Sequence, residues 1–294
     1  MRSGIVACIG RSNAGKSTLI NVLVGEKISI TSIKPQTTRE NILGILNGKD
    51  YQIVFIDTPG FYKSSDKMSA YMRKSADNSL AGADVVLFVA DVHRGLFETE
   101  YDLIKKYQKD NKFILALTKI DICTEQRLAE ELTKLSSLKL SCEIVPVSAR
   151  KNKNVKELLA VIIKSLDEGE KIYPDNIVSD KSERFMAGEI IREKILQLYD
   201  KEIPHGIAVV INAFKKRDSG NLYDIDADII CEKPNHKAIL IGKKGDALKN
   251  MLTFARKDLE KFLGSKVFLK AFVAVKEDWR NREELITSYG YKKN

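Results

Sequence analysis

Near the start of the chain, Gly10-Arg11-Ser12-Asn13-Ala14-Gly15-Lys16-Ser17 carries a phosphate-handling pattern. It matches GxxxxGK[ST], in which the glycines let backbone N–H groups converge on phosphate oxygens without a Cβ in the way. Lys16 would neutralise the β- and γ-phosphates, and the Ser17 hydroxyl would bind Mg²⁺. The pattern follows an apolar run and opens a helix-like stretch, the context this chemistry needs. The helix N-terminus adds partial positive charge. Asn13, Ala14 and Thr18 complete the expected phosphate-side set.

A second group is Asp57-Thr58-Pro59-Gly60, directly after the apolar run QIVFI. A carboxylate at a strand end is placed to hold Mg²⁺ through water, and Gly60 can turn its N–H toward a γ-phosphate. The third is Thr118-Lys119-Ile120-Asp121, again after an apolar run. A carboxylate at Asp121 accepts two hydrogen bonds from guanine N1 and N2, a donor pair adenine lacks. The Lys119 stem can lie over the base. Ser148-Ala149 follows the last apolar run, where a backbone N–H could reach guanine O6. In this order and spacing the groups point to a GTP site with Mg²⁺, alternating between GTP and GDP.

Two further positions bear on turnover. The polar loop 33–40 (IKPQTTRE) offers a threonine that could complete the metal shell only when the γ-phosphate is present. Thr38 is favoured, with Thr37 the alternate. Many GTPases place a glutamine directly after DxxG to orient the attacking water, and here that position is Phe61. Slow intrinsic hydrolysis is therefore expected. Asn13 could help hold a K⁺ ion near the phosphates in place of an arginine finger, or could simply shape the loop. The catalytic set is thus Lys16, Asn13, Thr38 and Gly60, and the metal set Ser17, Thr38 and Asp57.

These residues need a scaffold. Apolar runs at 4–9, 52–56, 84–90, 112–117 and 143–147 alternate with helix-like stretches at 16–23, 68–81, 98–109, 125–138 and 155–166. That alternation predicts a doubly wound α/β domain with a mostly parallel sheet over residues 1–168. The polar stretch 169–181 reads as a linker. Beyond it the pattern changes to α+β, over 182–294. A helix at 183–199 precedes strands at 207–214 and 222–231, a Gly-rich turn at 241–245, an amphipathic helix, a strand at 266–275 and a short helix.

Composition narrows the function classes. The 294 residues include 49 Lys and Arg against 40 Asp and Glu, a net charge of +9. Hydrophobic content of 44% supports packed cores and excludes a disordered chain. The longest apolar run, Val85 to Ala90, is too short to span a bilayer. The N-terminus lacks the apolar region and cleavage site of a signal peptide. Cys8, Cys123, Cys142 and Cys231 are scattered, which fits a reducing cytoplasm rather than a disulfide scaffold or zinc ribbon. From residue 233 onward, 15 Lys and Arg face 7 Asp and Glu, so most of the excess lies in the last 62 residues. Such a footprint suits a polyanion-binding module.

Within that basic region, Ile241-Gly242-Lys243-Lys244-Gly245 forms a GxxG loop before an amphipathic helix. Such a loop admits a phosphate backbone, and its lysines add charge. This is the logic of a type II KH domain, which clamps about four single-stranded nucleotides. A protein-interaction domain with an incidental Gly turn is the alternative.

Together the two halves resemble the Era family of bacterial ribosome-assembly GTPases. The carrying segments are GRSNAGKSTLIN (10–21), KISIT (27–31), QTTR (36–39), DTPGF (57–61), RFMAGEIIREKIL (184–196) and IGKKG (241–245). The resemblance spans essentially the whole chain. It implies a GTPase joined to a KH domain that binds the 3′ end of small-subunit (16S) ribosomal RNA and assists maturation of the 30S subunit. It also implies a cytoplasmic monomer, with association at the inner face of the membrane attributed to the family. A tRNA-modification type of GTPase and a nucleotide-regulated protein scaffold are the rival functions. Four residues depart from the family pattern, one of them His205, which follows Pro204 where the family often has Tyr and is expected to be a packing variation. Ser12 and Ala14 replace the common Pro and Val, and Thr118 replaces the usual Asn of NKxD, where fewer hydrogen bonds are expected.

Overall fold

The apolar runs of the first half assemble into one six-stranded sheet in the computed structural model, which describes residues 1–61, 65–201, 203–218 and 220–291. In chain order the elements are β1 (Arg2–Ile9), α1 (Lys16–Val24), β2 (Ile42–Asn47), β3 (Tyr51–Asp57), α2 (Lys67–Ala81), β4 (Val85–Asp91), α3 (Glu98–Asp110), β5 (Lys112–Thr118), α4 (Glu125–Ser137), β6 (Glu143–Val147) and α5 (Val155–Ser165). The strand order is β2-β3-β1-β4-β5-β6, with β2 antiparallel to β3 and the remaining pairings parallel. Every residue of β4 is buried. Helices cover both faces of such a sheet, so the strand reads as a continuous apolar run rather than an alternation. β2 adds a sixth strand to the five that the apolar runs predict.

Register explains why distant residues meet. Cys8 pairs with Asp57 across β1 and β3, Asp91 with Thr118 across β4 and β5, and Thr118 with Val147 across β5 and β6. The loops that follow these strands therefore leave from the same, carboxyl edge of the sheet, where open α/β sheets bind ligands.

The chain divides into two units. The first comprises Met1–Thr31, Thr38–Lys63 and Met72–Asp180; the second comprises Ser32–Thr37, Ser64–Tyr71 and Lys181–Asn294. The stretch read as a linker is hydrogen-bonded along the first unit. Gln52 Oε1 accepts from the N–H groups of Ile172 and Tyr173 at 2.6 and 2.9 Å, and Ile45 N–H donates to the Val178 carbonyl at 2.8 Å.

In the second unit the elements are α6 (Glu183–Leu198), β7 (Ala208–Lys216), β8 (Leu222–Cys231), α7 (Pro234–Ile241), α8 (Asp246–Leu263), β9 (Lys266–Val275) and α9 (Glu283–Ser288). Its sheet runs β7-β8-β9, with β7 antiparallel and β9 parallel to β8. Tyr223, Ile225, Ala227 and Ile229 of β8 are buried, while Asp224, Asp226 and Asp228 alternate with them. Met251, Ala255 and Leu259 of α8 pack onto that dry face with Ile190, Ile191 and Ile195 of α6. Among the described residues, no helix is long and apolar enough to cross a membrane.

Candidate nucleotide-binding site

Between β1 and α1 the backbone makes a turn that only glycine accommodates at its two ends. Gly10 has φ 145°, and a Cβ there would lie 2.2 Å from the Val89 carbonyl oxygen. Gly15 has φ 101°, in the left-handed half of the map that disfavours side chains. Lys16 is buried, and its Nζ donates to the Gly10 and Arg11 carbonyls, each at 3.1 Å. The loop is thereby closed over the ammonium. Burial lowers the Lys16 pKa to about 8, against the opposing pull of Asp57. A phosphate at this loop would supply the counter-charge the ammonium lacks.

Ser17, Thr38 and Asp57 form one oxygen cluster. Ser17 Oγ donates to Asp57 Oδ2 at 2.7 Å and lies 2.9 Å from Thr38 Oγ1, which itself reaches Asp57 Oδ2 at 3.2 Å. Asp57 is fully buried, and its second oxygen, Oδ1, has no hydrogen-bond partner. Burial raises the Asp57 pKa, with the Ser17 hydrogen bond and the Lys16 charge opposing. A buried carboxylate with an orphaned oxygen, beside two hydroxyls, is a hard-oxygen donor set of the kind that suits Mg²⁺. Thr37 turns elsewhere: its Oγ1 donates to the Lys34 carbonyl at 2.6 Å. Of the two threonines considered, Thr38 is the one in the cluster. Gly60 closes the far side, where a Cβ would come within 2.6 Å of Ser12 backbone atoms and 2.9 Å of Lys16 Nζ.

On the side where the base is expected lies a cavity lined by Gly15, Thr18, Thr118, Lys119, Asp121, Ile122, Ala149 and Arg150. Ser148 Oγ donates to Asp121 Oδ1 at 2.7 Å and accepts from Lys151 N–H at 3.1 Å, so the carboxylate is fixed at one oxygen. Lys119 Nζ bridges the Asn13 carbonyl and Asp91 Oδ2, both at 2.7 Å. Asn13 has φ 67°, and its carbonyl, accepting from Lys119, ties the loop to the end of β5. Thr118 donates to the Ala14 carbonyl and lies 3.1 Å from the Ala90 carbonyl. The expected loss of contacts at Thr118 is thus partial, since its hydroxyl still ties strand to phosphate loop. Ile122 and Arg150 line the cavity without having been read from the sequence; each directly follows a motif, and that adjacency was the only signal.

After Gly60, Phe61 N–H donates to the Gly10 carbonyl at 3.1 Å. Arg11 is engaged with its own neighbours, 3.8 Å from Glu100 and stacked over the Phe97 ring at 4.2 Å.

In the second unit the Gly-rich turn has a demanding backbone. Gly242 adopts φ 72° and ψ −177°, a region essentially closed to residues with a Cβ, and a Cβ there would lie 2.5 Å from Ala247 Cβ. Lys244 and Gly245 also have positive φ. Ile241 is half-buried at the end of α7, and Lys243 and Lys244 are exposed.

Comparison with known proteins agrees with both halves. A family model described as a 50S ribosome-binding GTPase matches residues 5–119, and a KH domain model matches residues 202–280. The GTPase Era of Clostridium kluyveri is 46% identical over 293 residues, covering 99% of this chain and all of that protein. This chain belongs to the Era family. The Era protein of Clostridium novyi is 45% identical, with 99% of each chain covered. A crystal structure of Era with MgGDPNP and nucleotides 1506–1542 of 16S ribosomal RNA superposes with a TM-score of 0.94 at 39% identity over the whole of both chains. A point variant of Aquifex aeolicus Era bound to GDP·AlF4⁻ gives the same TM-score at 38% identity, again over the whole of both chains. The fold is accordingly that of Era: a P-loop GTPase domain followed by a KH domain, and the enzyme is a GTPase.

Proposed function

We propose that this Era-family GTPase binds the 3′ end of small-subunit ribosomal RNA through residues 241–245, with GTP gating the contact, and so assists maturation of the 30S subunit. One observation carries the reading. A strained GxxG loop bearing two exposed lysines shares a chain with a built guanine-nucleotide site, and the whole chain superposes on an Era that holds 16S nucleotides.

The chemistry follows from the placement of the side chains. Asp121, steadied by Ser148, accepts the guanine N1 and N2 donors, while Ala149 N–H serves O6 and Lys119 lies along the base. Lys16 and the N–H groups of residues 13–18 hold the phosphates and stabilise charge as it develops on the leaving side. Water attacks the γ-phosphorus, the bond to the β–γ bridging oxygen breaks, and GDP and phosphate leave. Ser17 and Thr38 would hold Mg²⁺ directly and Asp57 through water; when bound, the ion neutralises phosphate charge. Gly60 N–H turns toward the γ-phosphate. The Phe61 side chain has no polar atom with which to orient the water, so intrinsic turnover is slow. A K⁺ ion held with the help of Asn13 would make up part of the missing charge. Four free cysteines among the described residues suit the cytoplasmic location that belongs to this reading.

Binding of a labelled oligonucleotide from the 3′ end of small-subunit rRNA, measured with a GTP analogue and with GDP, tests the proposal. Tighter binding in the GTP-analogue state is expected. Equal affinity in both states removes the gating, and no binding in either removes the RNA.

A further inference from the structure

Helix α6 belongs to the second unit, and so do residues 32–37, which lead directly into Thr38. Arg192, two-thirds of the way along α6, is 1% exposed. Its guanidinium is paired with Glu189 at 2.5 and 2.7 Å. It also donates to the Gln36 carbonyl at 3.5 Å and to the Thr37 carbonyl. Gln36 is buried at φ 58°, and its side-chain amide donates to Ser69 Oγ at 3.2 Å. A left-handed glutamine is held there by its neighbours, since the conformation itself is unfavourable.

Seven residues further on, at the C-cap of α6, Tyr199 makes two contacts. Its carbonyl accepts from Lys34 Nζ, which also pairs with Asp200 at 2.8 Å. Its buried hydroxyl donates to the Leu240 carbonyl at 3.0 Å. Leu240 lies in the last turn of α7, two residues before Gly242. One helix therefore grips the segment before Thr38 at Lys34, Gln36 and Thr37, and grips the approach to the GxxG loop at Leu240.

A buried guanidinium is costly unless its donors are satisfied. Glu189 takes two of its five donors and the carbonyls of residues 36 and 37 take two more. Displacing the segment leaves those donors unpaired, so its position carries an energetic consequence for α6.

We propose that Arg192 and Tyr199 are positioning residues that make α6 the link between the nucleotide site and the RNA loop. Arg192 fixes the backbone of residues 36 and 37 so that Thr38 can meet Ser17 and Asp57. Tyr199 ties the same helix to the carbonyl that sets the entry to Gly242. The proposal rests on nucleotide-gated RNA binding and names the residues through which the gate acts. Coupling of this kind is reciprocal, so RNA occupancy would favour the Thr38-in arrangement as much as GTP favours the RNA-ready loop.

The test uses the full-length protein, with Arg192→Lys, which keeps the charge and loses the fork, and Tyr199→Phe, which removes one hydroxyl. Affinity for the labelled rRNA 3′-end oligonucleotide is measured with GTP analogue and with GDP, alongside kcat and KM for GTP. For Arg192→Lys, kcat should fall about tenfold with KM changed less than about twofold, because Thr38 is mispositioned while the phosphate loop is intact. For Tyr199→Phe, hydrolysis without RNA should be unchanged, while the ratio of the two RNA affinities falls at least about fivefold toward one. Thermal unfolding controls for folding, and if the Arg192 variant is lost, Tyr199→Phe decides alone. Equal weakening of RNA binding in both nucleotide states, or an unchanged ratio, overturns the link and leaves the proposed function standing. A wild-type ratio of one overturns both.

Discussion

The Thr118 hydroxyl donates to the Ala14 carbonyl, joining the end of β5 to the glycine-bounded loop between β1 and α1. The tie is made by the single proton of the threonine hydroxyl. Thr118→Val keeps the shape and removes that proton. The buried Ala14 carbonyl then loses its donor, at a cost of about 1–3 kcal/mol, which corresponds to roughly 5- to 150-fold weaker binding of GTP and GDP alike. Guanine preference over adenine should persist, because the proposed reading assigns that choice to Asp121. Fluorescent-nucleotide titrations with both bases check both halves of the statement.

On the proposed reading Asp121 takes the base, and its replacement should then change which base is bound. Asp121→Asn offers an NH₂ where the carboxylate offers only acceptors. The guanine N1–H and N2–H₂ then meet a donor, and GTP affinity should fall by about 10²-fold or more. Xanthine carries an acceptor at position 2, so xanthosine triphosphate should gain. Competition between the two nucleotides against the variant gives the answer, and unchanged GTP binding would remove Asp121 from the base site.

Gly60 is a matter of space. A Cβ there would sit 2.6 Å from the Ser12 backbone, which is itself part of the phosphate loop, so the strain has no flexible side chain to absorb it. Gly60→Ala should cost about 1–3 kcal/mol of local strain. The GTP-analogue state should suffer more than the GDP state, since only the former needs the Gly60 N–H. Calorimetry with both nucleotides measures the difference.

Much of this site is legible in the sequence because its parts are local. GRSNAGKS, DTPG, TKID and Ser148-Ala149 each sit at the end of an apolar run, and parallel register brings those ends together. β2 is different. Ile42–Asn47 reads ILGILN, with a glycine and no β-branched run, and it becomes a strand by pairing with β3. The choice between Thr37 and Thr38 also lay beyond local pattern, because it depends on which hydroxyl faces Asp57. Arg192 is the clearest case. Within RFMAGEIIREKIL it looks like a solvated helix charge, yet it is buried against carbonyls more than 150 residues away in sequence.

Turnover should depend on the monovalent cation. Phe61 leaves the attacking water without a side-chain partner, and Arg11 is engaged by Glu100 and Phe97. Charge developing between the β- and γ-phosphates therefore needs another source. With Mg²⁺ constant, hydrolysis in K⁺ buffer should exceed that in Na⁺ buffer by about tenfold or more, within the range that one preorganised electrostatic contact supplies. Asn13→Ala should remove most of the difference. Equal rates in the two buffers would assign Asn13 to shaping the loop, where its carbonyl already accepts from Lys119.

The GxxG loop should declare itself through salt. Lys243 and Lys244 are exposed at a turn whose glycines let a backbone approach; on the proposed reading their contribution to RNA binding is release of counterions from phosphates. Each phosphate neutralised on a single strand contributes a slope of about 0.7 in log affinity against log salt concentration. Lys243→Ala with Lys244→Ala should lower the slope by about 1.4 and weaken binding uniformly across sequences. Gly242→Ala acts differently. Its Cβ would lie 2.5 Å from Ala247 and its backbone sits where a side chain is disfavoured, so the turn is displaced. Binding should then weaken while the lysines keep their charge, with the slope falling only as far as the lysines lose their reach. If removing both lysines leaves the salt slope unchanged, RNA does not contact this loop. The basic C-terminal segment would then serve solubility, and the KH domain a protein partner.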